Sequence, residues 1–517
     1  MIEIGVNIVE IVTKGLYTNS LDIFREYIQN SCDAIDDAVD AGILSAGDGL
    51  ITIDLEVNAR QITIEDNGAG INTRNFERTM SKIGNSDKRL ETDRGFRGIG
   101  RLCGLAYCRE VRFSSTVKGE TKLSTVAINA EHLRQEFFSD NKHSAESVLR
   151  DVMTFSKTVV DADKHFFRVE LIDIVDTNRI LLDVDKIRNY LSFVAPVDYK
   201  NSLGFKGLQN KILEHATSLN FRIAIYNVLV DGERLYKPYK SNFRTTHNGA
   251  DEIFDIHFRD FYDGTDDDNK KLIAWSWIGL SNFKGVIDQT NGTPDNMMRG
   301  IRLRAGNIQI GDAEALKHLF SEARGTNYFI GEVYTVDTNL IPNSRRDYFE
   351  ENEACNALED KLKKYFAELY KIYHTASDIR SAYRAISKPD EFEHEFNKQS
   401  VAYQKSHKVE HDAEFIKLQK AAREAENSLK KVQEIAEQNP GTPLTRVVFH
   451  MIERTAVKVS SPSRLIDKPI ESTPSFPPST WSRDLRKLYH AIEAIILDNP
   501  KLSGKNLLDE IKTELAK

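Results

Sequence analysis

The segment that decides the interpretation of this chain is REYIQNSCDAIDDA, residues 25–38. Positions four apart on a helix share a face, so Glu26 and Asn30 would present a carboxylate and an amide oxygen side by side, with Asp33 next to Asn30. A carboxylate can take a proton from an attacking water, and an amide oxygen can hold a hard cation that neutralises phosphate charge. Taken alone, the trio also fits a solvated helix face.

A second segment with chemical potential is Asp66-Asn67-Gly68-Ala69-Gly70. It follows two alternating stretches, Ile51–Val57 and Gln61–Glu65, which predict a β-hairpin. Paired glycines let a backbone approach a flat ligand, and a carboxylate there can accept a hydrogen bond from an exocyclic amine such as that of adenine. An ordinary hairpin turn is the alternative for this segment.

A third segment is glycine-rich, Gly95-Phe96-Arg97-Gly98-Ile99-Gly100-Arg101, and opens onto an apolar helix predicted for Leu102–Tyr107. Glycines that lead into a helix leave backbone N–H groups pointing at one spot, which suits nucleotide phosphates. No Gly-Lys-Ser or Gly-Lys-Thr follows, which excludes a Walker loop, and the order of elements disfavours a Rossmann turn.

Together and in this order, the three segments resemble the motifs of the GHKL ATPase superfamily (gyrase, heat-shock-ninety, histidine kinase, MutL). Residues 16–38 resemble the first motif of the heat-shock-ninety chaperones, DNGAGI the second, and GFRGIG the glycine lid motif. The resemblance implies ATP and Mg²⁺ as ligands, with Glu26 as general base, Asn30 as the magnesium ligand and Asp66 as the adenine reader. The other pocket residues that it implies are Asp33, Gly68, Gly70, Ile71, Met80, Lys88, Gly95, Arg97, Gly98, Ile99 and Gly100. Core packing is the alternative for Ile71 and Met80, and a solvated lid lysine for Lys88.

A further resemblance lies far along the chain, in LIPNSRRDYF at residues 340–349. It is similar to the chaperone middle-domain segment whose arginine reaches the γ-phosphate, and the matching position is Arg346, with Arg345 as the alternative. A cation arriving from a second domain would stabilise developing phosphoryl charge. The competing interpretation is a surface arginine pair bound to Asp347 or Glu350.

The periodicity along the chain predicts an α+β protein of several units. With the resemblance, we expect a Bergerat-type α/β sandwich ATPase domain in 1–190 and a transducer-like α/β domain in 191–375. A coiled coil or long helical hairpin is expected in 376–438, a linker in 439–480 and a small helical region in 481–517. The heptad positions that support the coiled coil are Phe415, Leu418, Ala422, Ala425, Leu429, Val432 and Ala436.

Composition restricts the classes of partner. The net charge of −8 over 517 residues does not indicate nucleic acid, although a local basic patch stays possible. The four cysteines match neither a zinc site nor a disulfide framework, and no signal peptide or apolar membrane segment is evident, so a cytoplasmic protein is expected. His407 and His411, one helical turn apart, read as a solvated coiled-coil face, and Asp263–Asp268 as an acidic surface loop.

These observations favour a conformational ATPase of the heat-shock-ninety type that closes on a protein partner, with C-terminal helices holding two copies together. One alternative is a DNA-acting clamp like MutL, the type II topoisomerases or MORC proteins. Another is a nucleotide-sensing scaffold that binds ATP without useful hydrolysis. A histidine kinase is disfavoured because no phospho-acceptor helix precedes the first motif.

Overall fold

The computed structural model describes residues 7–11, 19–83, 99–138, 144–200, 205–246, 249–264, 270–288 and 297–459, together with Ser482, Leu485 and Tyr489. Four residues of the predicted nucleotide site, Lys88, Gly95, Arg97 and Gly98, lie outside the described residues, as does most of 460–517. The chain divides into two compact units, Met1–Thr455 and Ala456–Lys517. The sheets and the candidate site lie in the first unit.

Helices and strands are mixed as far as Thr335, and long helices follow from Glu353. The α-helices are α1 Asn7–Glu10, α2 Asp22–Asp40, α3 Thr73–Ser81, α4 Ala130–Glu136, α5 Ala145–Val152, α6 Val184–Val194, α7 Lys206–Ser218, α8 Glu353–Asn397, α9 Val401–Gln438 and α10 Pro443–Val459. The strands are β1 Leu50–Glu56, β2 Gln61–Asp66, β3 Cys108–Thr116, β4 Lys122–Asn129, β5 Met153–Val159, β6 Phe166–Ile174, β7 Asn227–Val230, β8 Glu233–Arg234, β9 Asn242–Thr245, β10 Gly249–Glu252, β11 Asp255–Asp263, β12 Lys271–Leu280, β13 Gly300–Ala305, β14 Ile308–Ile310 and β15 Ile330–Thr335. Short 3₁₀ helices cover Gly100–Ala106, Asp176–Leu182, Lys317–Leu319 and Ala323–Tyr328.

The N-terminal sheet consists, within the described ranges, of eight strands in the order β5-β4-β3-β6-β2-β1-β7-β8. The hairpin predicted from alternation is confirmed, since β1 and β2 pair antiparallel from Ile51↔Asp66 to Glu56↔Gln61. Helix α2 packs on this sheet through apolar side chains such as Phe24 and Ile28, which share one core with Ile51 and Ile64. Strands β7 and β8 of this sheet lie beyond residue 190 in the sequence. The domain boundary expected at residue 190 stays a prediction.

The second sheet has the order β11-β12-β15-β13-β14 in the described residues, and only its β13–β15 pair is parallel there. Helix α8 covers it, and Leu362 and Phe366 of that helix share a core with Ile278 and Val333 of the strands. Two sheets with packed helices confirm the predicted α+β class. The segment 221–226 forms no strand, and β7 begins only at Asn227.

Helices α8 and α9 pack against each other along their lengths. The predicted heptad positions of α9 are its buried and half-buried ones, while its other positions are mostly exposed. The heptad seam therefore faces α8 of the same chain. The solvated-face reading of His411 is corrected: its ring is 8% exposed and stacks on Phe396 with ring centres 3.8 Å apart, because the hairpin buries its inner side. Helix α10 lies within the range read as a linker.

In the described part of the chain, no helix combines the length and apolar character needed to cross a membrane. All four cysteines are buried and unbridged. Burial raises the pKa of Cys103 well above its usual range, with the charge of Glu26 adding to the effect, and raises the pKa of Cys108 to about 12. These groups are protonated thiols at neutral pH, which fits a packing role.

Candidate functional site

Glu26 lies on the face of α2 that is turned into the protein, and only 4% of the residue is exposed. Asp33 on the same helix is also buried, while Asn30, one turn after Glu26, is half-buried. A buried carboxylate is unfavourable unless a cation or hydrogen-bond donors stabilise it. The partners of Glu26 therefore indicate how this region is used.

Arg346 approaches the carboxylate from a distant part of the chain. Its Nε lies 2.9 Å from Glu26 Oε1, and both side chains are less than a tenth exposed. The distance is that of an ion pair, although the N–H does not point at the oxygen well enough for an aligned hydrogen bond. Arg25 Nε is a second cationic neighbour, 3.9 Å from the same oxygen. The structure thus brings the two residues predicted to be catalytic into direct contact.

The loop that carries Arg346 has a defined backbone conformation. Arg346 has a positive φ of 54°, which is uncommon for a residue with a side chain. Its N–H donates to Asn343 O at 3.0 Å, and its carbonyl accepts from the N–H of Gly311 at 2.8 Å. Arg25 donates to the carbonyl of Arg345 at 3.2 Å, which ties the loop to α2.

The two arginines of this loop differ in their surroundings. Arg346 is buried, whereas Arg345 is exposed. Asp347, the carboxylate of the competing surface interpretation, accepts a hydrogen bond from the Asn343 side chain at 2.6 Å. This arrangement favours Arg346 over Arg345 as the inward-facing cation.

The end of the glycine-rich segment lies against Glu26 on another side. A side chain at Gly100 would collide with Glu26 Oε2, so the carboxylate end of Glu26 would have to move to admit one. Tyr27 holds the following 3₁₀ helix, since its hydroxyl donates to Arg101 O at 3.2 Å and accepts from the N–H of Gly104 at 3.1 Å. Gly100, in the described end of the segment, therefore lies beside the carboxylate of Glu26.

The Asp66 loop contacts α2 farther along the helix. Asp66 is 2% exposed and accepts the N–H of Gly68 at 3.0 Å, and Ala69 N–H donates to Ala34 O at 2.9 Å. A Cβ at Gly68 would lie 2.6 Å from the backbone of Ala34, and Gly70 has a φ of 70° and lies against Thr116 O. Both glycines thus have a packing reason for being glycine in addition to the predicted ligand role.

Helix α2 connects the two halves of the predicted pocket. Ala34 follows Glu26 by eight residues, a separation of about 12 Å along a helix. Such a distance is comparable to the length of an extended nucleoside triphosphate. Asn30 lies between Glu26 and Ala34 on the helix. Met80 is 3% exposed within the core of the N-terminal domain and Ile71 is half-buried against it, so both pack in that core, and their role as walls around the base stays a prediction.

Three contributors were not identified from the sequence. They are Arg25, His165 and Ser115. The His165 ring Nδ1 lies 2.9 Å from Gly68 O, and because a carbonyl only accepts, that nitrogen donates. Ser115 accepts the N–H of Ile71 at 2.8 Å and donates to Phe166 O at 2.8 Å. His165 and Ser115 hold the Asp66 loop through its backbone atoms, and Arg25 holds the Arg346 loop in the same way. No sequence pattern marks such contacts in advance.

Comparison with known proteins agrees with the motif-based resemblance. Residues 19–157 match the family described as histidine kinase-, DNA gyrase B-, and HSP90-like ATPase. The chaperone protein HtpG of Geobacter metallireducens (strain ATCC 53774 / DSM 7210 / GS-15) is 21% identical over an alignment of 401 residues, and the alignment covers 72% of this chain and 56% of that protein. The chain thus spans little more than half the length of this relative. The matched family range contains α2, the Asp66 loop and Gly100.

Proposed function

We propose that this chain, whose N-terminal region is a GHKL-type ATPase domain, binds ATP along α2 and hydrolyses it. The observation that carries the proposal is the convergence on Glu26: Arg346 pairs with one carboxylate oxygen and Gly100 lies against the other. Three segments that are far apart in the sequence meet at one buried acid. A solvated helix face, the alternative for α2 taken alone, does not explain that burial.

The proposed roles follow from the chemistry of the groups. Asp66, at the far end of α2, reads the adenine amine, and Glu26 takes the proton of the attacking water. Mg²⁺ bound to a nucleotide uses few protein oxygens, and the half-buried amide of Asn30 fits this demand. When bound there, the ion would supply neutralisation of the phosphate charge.

In this proposal Arg346 pairs with two acidic groups in turn, the carboxylate of Glu26 and the terminal phosphate of ATP. In the structure its guanidinium pairs with Glu26, and a terminal phosphate is a stronger, multiply charged partner for the same group. Transfer of Arg346 from the carboxylate to the phosphate would release Glu26 for proton abstraction and stabilise charge on the phosphoryl group. Hydrolysis would then be coupled to the position of the 340–349 loop.

We further propose that this coupling drives closure on a protein partner in a homodimer, as a heat-shock-ninety-like ATPase. The second candidate is a nucleotide-sensing scaffold, and the Glu26–Arg346 pair is the observation that favours it. If the pair persists with ATP bound, the carboxylate stays engaged, and tight binding without phosphate release follows.

The test is Mg²⁺-dependent phosphate release by the full chain and by Glu26→Gln. We expect the variant to bind ATP normally and to lose turnover by about 100-fold or more, because it lacks the general base. Asp40→Asn, at the exposed end of the same helix, is the matched control and should turn over normally. Absence of turnover in the wild type, or unchanged turnover in Glu26→Gln, contradicts the proposed hydrolysis. Tight ATP binding without turnover would favour the scaffold.

A further inference from the structure

A cluster of charged side chains without access to solvent lies at the second sheet. Lys237, Arg304 and Glu332 have side chains that are 0% exposed. Glu332 pairs with Arg304 and lies 3.3 Å from Lys237 Nζ. It also accepts hydrogen bonds from the hydroxyls of Tyr199 and Tyr334, each at 2.6 Å. Lys237 donates to Asn307 Oδ1 at 2.7 Å. We call Lys237, Arg304, Asn307 and Glu332 the buried junction.

The buried junction connects the second sheet to segments that lead into the N-terminal sheet. Arg304 donates to the carbonyl of Phe193, near the end of α6, at 2.9 Å. Asn307 donates to the carbonyl of Ala224 at 2.6 Å. Ala224 shortly precedes β7, which pairs in parallel with β1 of the N-terminal sheet. The junction residues of β13 and its following turn therefore bind backbone on the N-terminal side.

The same turn leads directly to the Arg346 loop. Asn307, with a φ of 63°, lies in the turn between β13 and β14. Just beyond β14, Gly311 donates its N–H to the carbonyl of Arg346 at 2.8 Å, and the Gln309 side chain donates to the carbonyl of Gly311 at 2.9 Å. A side chain at Gly311 would meet Asp347 O at 2.5 Å, so the two segments are in close contact.

Stability alone is a weak explanation for such a cluster. Desolvation of buried ion pairs often cancels their attraction, so an apolar core of similar shape would fold as well or better. What a buried polar network adds is a defined arrangement, because each group must meet its partners. The arrangement fixed here is that of the β13–β14 turn relative to the N-terminal sheet.

We propose that the buried junction positions Arg346 for catalysis: it holds the β13–β14 turn on the N-terminal side, and the turn holds the Arg346 loop at Glu26. Lys237 and Asn307 are positioning residues that act through Arg346. The inference rests on the proposed function, since the position of Arg346 affects turnover only if turnover occurs.

The experiment uses two variants of the full chain, Lys237→Met and Asn307→Gly. Methionine keeps the unbranched apolar stem of Lys237 without its charge. Glycine removes the Asn307 side chain and tolerates the positive φ. Lys200→Met is the matched control, because this exposed lysine lies on the segment whose backbone pairs with Lys237. The readouts are the rate of amide hydrogen exchange over residues 309–349 without nucleotide, and kcat and KM for ATP. Each substitution is also combined with Arg346→Ala.

We expect faster exchange at the Gly311 amide and in 343–349 in both variants. We also expect a fall in kcat of about 10- to 100-fold with little change in KM, since misplacement of a catalytic group by about 1 Å has effects of this size. In the Arg346→Ala background the same substitutions should cause no further loss of kcat, which a merely structural role would not predict.

The inference is overturned if residues 309–349 exchange their amide hydrogens at the same rate in both variants as in Lys200→Met. A loosened loop with normal kcat, or further loss in the Arg346→Ala background, also overturns it. If the wild type lacks turnover, the proposed function fails, and the exchange measurement alone then decides whether the junction holds the loop. If Lys237→Met does not fold, Asn307→Gly decides.

Discussion

At the residue scale, Lys237 is an ionisable group whose side chain is 0% exposed. Burial lowers its pKa most, the charge of Arg304 lowers it as well and Glu332 opposes both effects, so that the resulting pKa is about 7. In the unfolded chain a lysine keeps its usual pKa near 10.4. Between these two values the unfolded state binds one more proton than the folded state, so this lysine makes stability rise with pH.

The predicted observable is the pH dependence of the difference in unfolding free energy between the wild type and Lys237→Met. Below pH 7 both states of the wild type carry the proton, and the difference should be nearly constant. From pH 7 to 8.5 the wild type should gain on the order of 2 kcal/mol relative to the variant. Denaturant unfolding at pH 6.0, 7.0 and 8.5 checks this, and a constant or falling difference contradicts a deprotonating Lys237.

The residues that the sequence identified carry distinctive chemistry at distinctive spacing. Glu26 and Asn30 stand one helical turn apart and Asp66 ends a strand, and each position can be read without knowledge of the fold. Arg25 and His165 could not be found this way, because they act on the backbone of Arg345 and Gly68. Which backbone atoms a side chain meets depends on tertiary packing, and local patterns do not contain that information.

At the element scale, periodicity predicted well where one face of an element is buried. The β1–β2 hairpin and the inner positions of α9 follow their patterns closely. Residues 221–226 are apolar apart from Arg222 yet form no strand. Helix α10 lies in the range predicted as a linker and begins at Pro443, since proline is accepted at a helix start. Leu444, Val447, Val448 and Met451 of α10 pack on the core of the second sheet.

A prediction about stability concerns strand β15, because Glu332 lies near its centre. Glu332→Ala leaves Arg304 and Lys237 buried without their anion, and we expect a loss of about 3–5 kcal/mol in the unfolding free energy. The matched control is Glu368→Ala, which removes a carboxylate that pairs with Arg259 at 3.4 Å and is 47% exposed. That pair should contribute less than about 1 kcal/mol. Chemical denaturation of both variants checks the contrast, and similar losses would contradict it.

At the scale of the whole molecule, the central feature is that Glu26, near the start of the chain, and Arg346, beyond its middle, meet in one candidate site. From the sequence, the family resemblance was the one reason to expect Glu26 and Arg346 in the same site. Their contact, the link through Gly311 and the buried junction depend on how the two sheets pack. Such packing is the part of the structure that sequence patterns leave open.

This joint construction predicts that stabilisation by nucleotide depends on Arg346 only when a γ-phosphate is present. A ligand that binds the folded state raises its stability by RT ln(1 + [L]/Kd), so tenfold tighter binding adds about 1.4 kcal/mol at saturating concentrations. For a protein of this size we expect a non-hydrolysable ATP analogue to raise Tm above the value with ADP by about 1 °C. Arg346→Ala should remove this excess and leave the ADP shift intact. Arg345→Ala is the matched control, because its side chain is exposed and only its backbone carbonyl bonds to Arg25. An excess that persists in Arg346→Ala and disappears in Arg345→Ala would assign the γ-phosphate contact to Arg345 instead.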